Sequence, residues 1–235
     1  MKSSSSHEEL KKLVGVAAAQ LVQSGMVVGV GTGSTARFFI EELGRRVRDE
    51  ALHLVGVPTS FQSRLLCQKN GVPLAESQDV SYLDLAVDGA DEVDPQLDLI
   101  KGGGAAHARE KVIAGMAKQF VVIVDESKLV PRLGTGFAVP VEIIPGALKF
   151  VSERLASLGG TPQLRMGVRK DGPVVTDNGL FVLDAKFAPS VDLHYVDAQL
   201  HNTPGVLETG LFLGMASKVL VGRAADNTVT TLVRG

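Results

Sequence analysis

Residues 28–36 read VGVGTGSTA, and the interpretation of the whole chain starts from this stretch. A short apolar run from Met26 to Val30 ends in glycines and hydroxyl residues, and a segment with helical periodicity follows from Ser34 to about Val47. The pattern predicts a buried strand, a tight glycine turn and the start of a helix. Glycines let a ligand approach the backbone closely, and the N–H groups and dipole of a helix N-terminus attract an anion. The stretch is therefore a candidate phosphate-binding loop.

Other interpretations of this loop stay open at the level of the sequence. Gly31, Gly33 and Ala36 fit the dinucleotide fingerprint GxGxxG/A. That fingerprint also expects an acidic residue about 20 residues later, whereas the next predicted strand, His53–Val57, runs into Pro-Thr-Ser. A Walker P-loop needs a Gly-Lys-Ser/Thr ending, which this stretch lacks. A plain strand-to-helix turn with Ser34 or Thr35 as the N-cap is the remaining alternative.

Composition narrows the class of protein. The chain has 235 residues, 45% of them hydrophobic, which is enough for one large or two modest domains. A net charge of −2 gives no electrostatic signature for nucleic acid or a membrane surface as a partner. Cys67 is the single cysteine, so no intrachain disulfide can form and we expect a reducing compartment. No apolar run reaches the roughly 18 residues of a membrane span, and the N-terminus lacks a signal-peptide core.

In the first half of the chain, apolar strands alternate with helical patterns. The predicted strands cover residues 26–30, 53–57, 72–75, 83–87 and 120–124, and the predicted helices cover 8–23, 34–47, 61–69 and 105–118. Continuous apolar strands that alternate with helices favour an α/β fold with a parallel sheet covered on both faces.

After about Leu133 the pattern changes. A strand is predicted at 137–144, a helix at 146–158, a strand at 163–168, a hairpin around Asn178-Gly179 and a mixed helical segment at 191–200. This β-α-β-β-α-β order favours a small ferredoxin-like unit. Short strands at 207–213, 219–221 and 228–233 are expected to rejoin the first domain.

An acidic motif, DGADEVD, follows an apolar strand at residues 88–94. Ligand residues of open parallel sheets gather at the carboxyl ends of strands. Asp88 and Asp91 can therefore bind a cation, hold sugar hydroxyls or transfer protons, and the alternative is a solvated acidic turn. The metal interpretation is weak because no His or Cys lies nearby and the spacing is not that of an EF-hand.

A second glycine motif, KGGGAA, begins at Lys101 and continues with Gly102–Gly104, which we call the glycine triplet. Consecutive glycines are costly in chain entropy and suit a close backbone approach to a ligand. A lysine in front of them can neutralise an oxyanion or a phosphate. The alternative is a flexible connector that carries a surface lysine.

Two charged residues further along the chain are candidates for the same site. At helical spacing Glu110 has small and apolar neighbours, so a partly desolvated carboxylate could abstract a proton. Its setting in Arg-Glu-Lys is also typical of a solvated face. Lys128 either reaches a cleft from another strand end or lies on the surface, and His107 is a lone histidine that we interpret as structural.

Taken in order, four motifs closely resemble those of the type A ribose-5-phosphate isomerase family: GVGTGSTA, DGADEVD, KGGGAA followed by REK, and DESKLV. The stretches PVEIIP, LGG, VTDNGL and PGVLETGLF are similar to that family too, so the resemblance runs from about Glu8 to Leu232. It implies a Rossmann-like, doubly wound domain (1–132 and 206–235) with a smaller α+β, ferredoxin-like domain (133–205) inserted before the last strands.

The resemblance also implies an activity and a set of site residues. The family interconverts D-ribose 5-phosphate and D-ribulose 5-phosphate through an enediolate, without metal or organic cofactor, in the non-oxidative pentose phosphate pathway. By this match Glu110 is the general base, Lys101 and the glycine triplet stabilise the oxyanion, and Asp88 binds hydroxyls or transfers a proton. The implied substrate-binding residues are Thr32, Gly33, Ser34, Thr35, Asp88, Gly89, Ala90, Asp91, Lys101, Gly102, Gly103, Gly104 and Lys128, with Lys11 as a further contact to the phosphate.

Partners and location follow from the same resemblance. The expected partner is a phosphorylated pentose, and family members are usually homodimers and sometimes tetramers. We expect a cytoplasmic protein, or a plastid stromal one after removal of a transit peptide. The rival interpretations are an amino-sugar phosphate isomerase/deaminase of similar fold and a non-catalytic sugar-phosphate sensor. The sensor is disfavoured because about 25 residues before the first glycine loop are too few for a DNA-binding module and a helix.

Overall fold

The structure is a computed structural model that describes residues 2–169 and 171–234. Within these residues the helices are α1 (Lys2–Ala19), α2 (Ser34–Asp49), α3 (Phe61–Lys69), α4 (His107–Met116), α5 (Leu148–Ser157) and α6 (Leu193–His201). The strands are β1 (Val27–Val30), β2 (Val55–Pro58), β3 (Leu85–Asp88), β4 (Glu92–Val93), β5 (Leu99–Ile100), β6 (Phe120–Asp125), β7 (Val139–Ile143), β8 (Gly160–Leu164), β9 (Phe181–Phe187), β10 (Val206–Thr209), β11 (Leu211–Phe212), β12 (Lys218–Arg223) and β13 (Thr228–Val233).

The chain forms two compact units. The α/β unit consists of Met1–Ala90, Arg109–Leu129 and Gly214–Gly235, and the α+β unit of Asp91–Ala108 and Val130–Leu213. These bounds differ from the predicted domains because residues 91–108 belong to the second unit. The reason is strand pairing: β4 and β5 form a small antiparallel sheet with β11, and β10 pairs with β7. Of the strands expected to rejoin the first domain, β12 and β13 do so.

The α/β unit is built on a six-stranded sheet in the order β13-β12-β6-β3-β1-β2. Its strands are parallel except β13, which is antiparallel to β12. The predicted Rossmann-like, doubly wound arrangement is confirmed, and the order of the parallel strands is that of the flavodoxin-like variant. The strand order reverses between β1 and β3. Ligands of such sheets bind outside the carboxyl ends of the strands at this switch point.

Apolar strands make the core of the α/β unit. All residues of β3 and β6 are buried, as expected for a parallel sheet with both faces covered. Phe39, Ile40 and Leu43 bury one face of α2 in the same core. Complete burial of each such side chain stabilises the unit by about 1.5–3 kcal/mol. The glycine loop between β1 and α2 is thus attached to two firmly packed elements.

The α+β unit contains a four-stranded antiparallel sheet in the order β10-β7-β9-β8. With α5 between β7 and β8 and α6 between β9 and β10, this is the predicted ferredoxin-like arrangement. Alternate residues of β7 and β9, such as Val141 and Leu183, pack with Val151 of α5 and Val196 of α6. Since strand residues alternate between faces, the other face of the sheet carries different side chains, including Glu142 and Asp184.

Several element bounds were predicted wrongly. The strand expected at 163–168 is β8, which is an edge strand and so tolerates Pro162. The Asn178-Gly179 turn precedes β9 but does not follow a strand directly. The backbone hydrogen bond from Thr176 N–H to Leu180 O (2.9 Å) closes it, and Glu142 also accepts hydrogen bonds from Thr176 Oγ1 (2.6 Å) and Asn178 Nδ2 (3.0 Å). The segment 72–75 forms a single bridge to β2 rather than a strand.

None of the helices in the part of the chain that the structure describes has the length and apolar character needed to cross a bilayer.

Candidate active site

The first glycine loop connects the carboxyl end of β1 to α2, which begins at Ser34. Gly33 precedes the helix with φ 103°, a left-handed conformation that favours glycine. The alternative of a plain turn capped by Ser34 or Thr35 is wrong, because both are helical residues and Gly33 is the N-cap. Gly33 has no side-chain oxygen to satisfy the first N–H groups of α2, and this helix end therefore suits an external anion.

Hydroxyl groups surround this loop. Thr32 Oγ1 lies 2.7 Å from Thr59 Oγ1 and 2.6 Å from Ser60 Oγ. Lys11 Nζ donates to Ser34 Oγ (3.1 Å), which brings a positive charge to the N-terminus of α2. The sequence analysis did not predict these contacts of residues 59 and 60. A signal was available, because the two hydroxyl residues follow the carboxyl end of β2, and ligand residues of such sheets lie at the carboxyl ends of strands.

Asp88 ends β3, the strand next to β1, and is 2% exposed. Its Oδ1 accepts hydrogen bonds from the backbone N–H groups of Thr32 (3.0 Å) and Gly89 (2.7 Å). Gly31 makes this contact feasible, since a Cβ there would lie 2.2 Å from Asp88 Oδ1. The carboxylate predicted from the acidic motif therefore lies directly against the first glycine loop, with Gly89 and the half-buried Ala90 following it.

Glu110 lies in the first turn of α4 and is 6% exposed. The interpretation of Arg-Glu-Lys as a solvated face is therefore wrong for Glu110, whose neighbours Ile113 and Ala114 are also buried. Arg109 instead packs with its guanidinium 5.4 Å from the centre of the Phe61 ring. A carboxylate in this first turn is favoured by the helix dipole.

Lys128 lies in a short 3₁₀ turn directly after β6, the strand next to β3. Asp125 caps this turn by accepting a hydrogen bond from Ser127 N–H (3.0 Å). Because parallel strands end at the same edge of the sheet, Lys128 follows the same edge as Asp88 and the first glycine loop, and it is half-buried.

In the α+β unit, Lys101 is 3% exposed, so it is not a surface lysine. Its Nζ lies 5.3 Å from the centre of the Phe212 ring, a distance that allows a cation–π interaction. Its backbone N–H donates to Gly210 O (2.8 Å), and a Cβ at Gly210 would lie 2.2 Å from Lys101 O. Close backbone contact therefore fixes the main chain from which this ammonium group extends.

The glycine triplet is not a loose connector. Gly102 has φ 113°, and a Cβ there would lie 2.8 Å from Nδ1 of His107, a fully buried side chain. Asp91 Oδ2 accepts a hydrogen bond from Gly103 N–H (2.8 Å). Gly103 and Gly104 are exposed. The second predicted carboxylate, Asp91, thus holds the loop that follows Lys101.

Glu92, an acidic residue of the DGADEVD motif, has a structural role. Glu92 is 2% exposed, and its carboxylate accepts hydrogen bonds from the backbone N–H groups of Gly134 (2.6 Å), Gly136 and Phe137 (2.7 Å). No local sequence signal distinguishes this role from those of Asp88 and Asp91.

Within each unit, then, the predicted residues come together: Thr32 with Asp88 in one, Asp91 and Lys101 with the glycine triplet in the other. Among residues 2–169 and 171–234, no three His, Cys, Asp or Glu side chains are grouped so that they could hold a metal ion.

The fold and these residues define a doubly wound α/β protein with a glycine loop at the switch point of its sheet. The sequence matches the model of the family Ribose 5-phosphate isomerase A (phosphoriboisomerase A) over residues 55–226, and the chain belongs to this family.

The similarity to known relatives covers nearly the whole chain. Ribose-5-phosphate isomerase A of Thermosynechococcus vestitus is 55% identical over 220 residues, which cover 93% of each chain. The solved structure of ribose 5-phosphate isomerase A from Methanocaldococcus jannaschii has a TM-score of 0.92 at 46% identity and covers 97% of this chain and 99% of its own. A D-ribose-5-phosphate isomerase in complex with phospho-erythronic acid has a TM-score of 0.93, also at 46% identity, with the same coverage.

Proposed function

We propose that this chain is an isomerase that interconverts D-ribose 5-phosphate and D-ribulose 5-phosphate in the non-oxidative pentose phosphate pathway. The observation that carries the proposal is the burial of Glu110 and Lys101, which are 6% and 3% exposed. Buried carboxylates and ammonium groups are rare because desolvation is costly, and they concentrate at functional sites. A base and an electrophile are what proton transfer next to a carbonyl requires.

Glu110 is the general base of the proposed reaction. In the aldose-to-ketose direction its carboxylate takes the proton from C2 while the C1 carbonyl becomes an enediolate oxygen. It then returns the proton to C1, so that C1 gains the hydrogen that C2 lost. The remaining step moves a hydroxyl proton from O2 to O1, and Asp88 is the group proposed to carry it or to hold these hydroxyls.

Lys101 and N–H groups of the glycine triplet stabilise the negative oxygen of the enediolate. Fixed donors in a water-poor site suit this role because they need no reorganisation during the reaction. The substrate phosphate binds at the N-terminus of α2, with Lys11, Lys128 and the loop residues 32–35 as donors. This remote binding energy orients the reacting carbons. Complex formation with phospho-erythronic acid by a relative of the same fold supports a phosphorylated sugar acid as a ligand.

The test is an assay with ribose 5-phosphate in excess chelator that follows ribulose 5-phosphate. We expect turnover by the unaltered chain, and a loss of about 10²–10⁴-fold in Glu110→Gln with substrate binding retained. Glu153→Gln is the matched control, because Glu153 is an exposed residue of α5 paired with Lys149. Near-normal activity of Glu110→Gln would contradict its role as the base.

Other outcomes distinguish the rival functions. Turnover of glucosamine 6-phosphate but not of ribose 5-phosphate would identify an amino-sugar enzyme. Binding of ribose 5-phosphate by a folded protein without turnover would identify a sensor. Activity that is lost on chelation would contradict the metal-free mechanism and reopen Asp88 and Asp91 as candidate metal ligands.

We also propose a homodimer that works in the cytoplasm, or in the plastid stroma, with neither nucleic acid nor a membrane as a partner. The exposed apolar side chains Ile144, Phe150 and Leu207 of the α+β unit support self-association. The free thiol of Cys67 supports a reducing compartment, and the net charge of −2 argues against nucleic acid. Light scattering of the purified chain and imaging of a fluorescent fusion test the first two proposals.

A further inference from the structure

The glycine triplet is anchored on two sides within the α+β unit. On one side Asp91 accepts the N–H of Gly103. On the other side Arg165 Nη1 donates to the carbonyl oxygens of Gly102 (2.7 Å) and Gly103 (3.3 Å). Arg165 is more than 60 residues away in sequence and follows β8, so no local motif links it to this loop.

Arg165 is itself held in one orientation. Its Nε donates to Asp184 Oδ2 (2.8 Å) and its Nη2 to Asp184 Oδ1, the bidentate geometry in which guanidinium and carboxylate fit best. Its backbone N–H donates to Val182 O (2.9 Å), and its carbonyl accepts from Val174 N–H (2.8 Å). The side chains of Arg165 and Asp184 are 15% and 26% exposed, so the pair is partly shielded from water.

These contacts act together with the turn hydrogen bond from Ala105 N–H to Gly102 O (3.0 Å) to set the direction of the loop N–H groups. A trans peptide is planar, and its N–H points opposite to its C=O. Because Arg165 binds the Gly102 carbonyl, the Gly103 N–H of the same peptide points away from Arg165, and it meets Asp91 there. The Gly103 carbonyl belongs to the next peptide, so its contact with Arg165 turns the Gly104 N–H away from Arg165 in the same manner.

We propose that Arg165, fixed by Asp184, is a positioning residue that aims the Gly104 N–H, the oxyanion donor of the glycine triplet. This inference rests on the proposed isomerase function. Gly103 N–H is already bound by Asp91, and Gly104 is exposed, so the peptide that Arg165 orients is the one that can face a substrate. Arg165 acts through the backbone and touches no reacting atom.

A lysine cannot reproduce this arrangement. It has one donor nitrogen on a flexible stem, whereas Arg165 uses three nitrogens to join a carboxylate and a carbonyl in a plane. Arg165→Lys keeps the charge and one contact, so it should restore part of the function that Arg165→Gln loses. Asp184→Asn keeps the shape of its side chain but weakens the bidentate pair.

The experiment compares these variants with Arg154→Gln in the full-length protein. Arg154 is the matched control, because it lies in the same unit, on α5, where its Nη2 donates to Gln199 Oε1 of α6 (2.5 Å). The readouts are hydrogen exchange of the amides of residues 101–106, kcat and KM for ribose 5-phosphate, and inhibition by phospho-erythronic acid.

For Arg165→Gln we expect exchange of the loop amides to accelerate about tenfold and kcat to fall about 10–100-fold, with KM changed by less than about threefold. Inhibition by phospho-erythronic acid should weaken by a similar factor as kcat, since its carboxylate carries the charge that the loop is proposed to bind. Arg165→Lys and Asp184→Asn should fall between the unaltered chain and Arg165→Gln.

Unchanged loop exchange, a kcat within about threefold of the unaltered chain, or an equal loss in Arg154→Gln would overturn the proposal. If the unaltered chain does not convert ribose 5-phosphate, the proposed function fails by itself. Hydrogen exchange still decides the anchoring in that case: faster exchange in Arg165→Gln upholds it, and unchanged exchange overturns it.

Discussion

Substitution of Gly31 by alanine is the sharpest test of the contact between the first glycine loop and Asp88. A Cβ at this position would lie 2.2 Å from Asp88 Oδ1, whereas real Cβ atoms stay at least 3.0 Å from their neighbours, so the carboxylate must move by 0.8 Å or more. The new methyl group cannot avoid this contact by shifting towards Val87, because the Val87 carbonyl oxygen is only 2.6 Å from the same Cβ.

The size of the effect follows from the hydrogen bonds that this shift breaks. Asp88 Oδ1 would lose its contacts with Thr32 N–H (3.0 Å) and Gly89 N–H (2.7 Å). A hydrogen bond to a charged group contributes about 1.5–3 kcal/mol, and partial relaxation recovers some of this, so we expect Gly31→Ala to lower the free energy of unfolding by about 3 kcal/mol. For a chain of this length that corresponds to a Tm lower by about 6–12 °C.

Thermal unfolding and the isomerase assay measure the two consequences of Gly31→Ala. We expect kcat/KM to fall about 10–100-fold, because Asp88 and the phosphate loop are both displaced. Gly115→Ala is the control: a Cβ there meets nothing within 4 Å, and alanine in α4 should raise stability by up to about 1 kcal/mol. A Tm within 2 °C of the unaltered chain, together with kcat/KM within about twofold, would refute the close contact as described.

Three further predictions concern other contacts. Glu92→Ala should lower the free energy of unfolding by about 3 kcal/mol, because three backbone N–H groups lose their acceptor; an unchanged melting curve would contradict this. Burial raises the pKa of the Cys67 thiol to about 12, so iodoacetamide at pH 8 should label Cys67 slowly in the native protein and rapidly after denaturation, and rapid native labelling would be the contrary result. Hydrogen bonds from the Lys118 ammonium group and then from the Val27 N–H lower the pKa of Asp84. A lowered pKa gives stability that is present above the ordinary carboxyl pKa and is lost as pH falls through the folded value, so Asp84→Asn should make Tm less sensitive to pH below about pH 4.

The fold class was predictable because it depends on local patterns. Buried apolar runs such as 120–125, with glycines at the ends of strands, indicate a parallel sheet without reference to distant residues. The β-α-β-β-α-β order of the second unit was visible for the same reason. The assignment of residues 91–108 was not visible, since it depends on the pairing of β5 with β11, more than 100 residues later.

In the candidate site, too, local motifs predicted some features and contacts between distant residues decided the others. The motifs identified Asp88, Lys101 and Glu110 as candidates, but the residue pattern alone left a solvated face and a surface lysine as alternatives. Burial removes both alternatives, and burial is a property of the packed chain. Arg165 carries no motif that connects it with the glycine triplet.

By itself, the sequence determined the alternation of strands and helices in each unit, the two glycine loops and the family to which the chain is similar. These features are set by side-chain periodicity and by backbone freedom within a few residues. The tertiary structure alone decided which acids of DGADEVD hold loops, that Glu110 and Lys101 are buried, and that Arg165 binds the carbonyls of the triplet. Such contacts join residues distant along the chain, and only the packing of complete elements brings them within hydrogen-bonding distance.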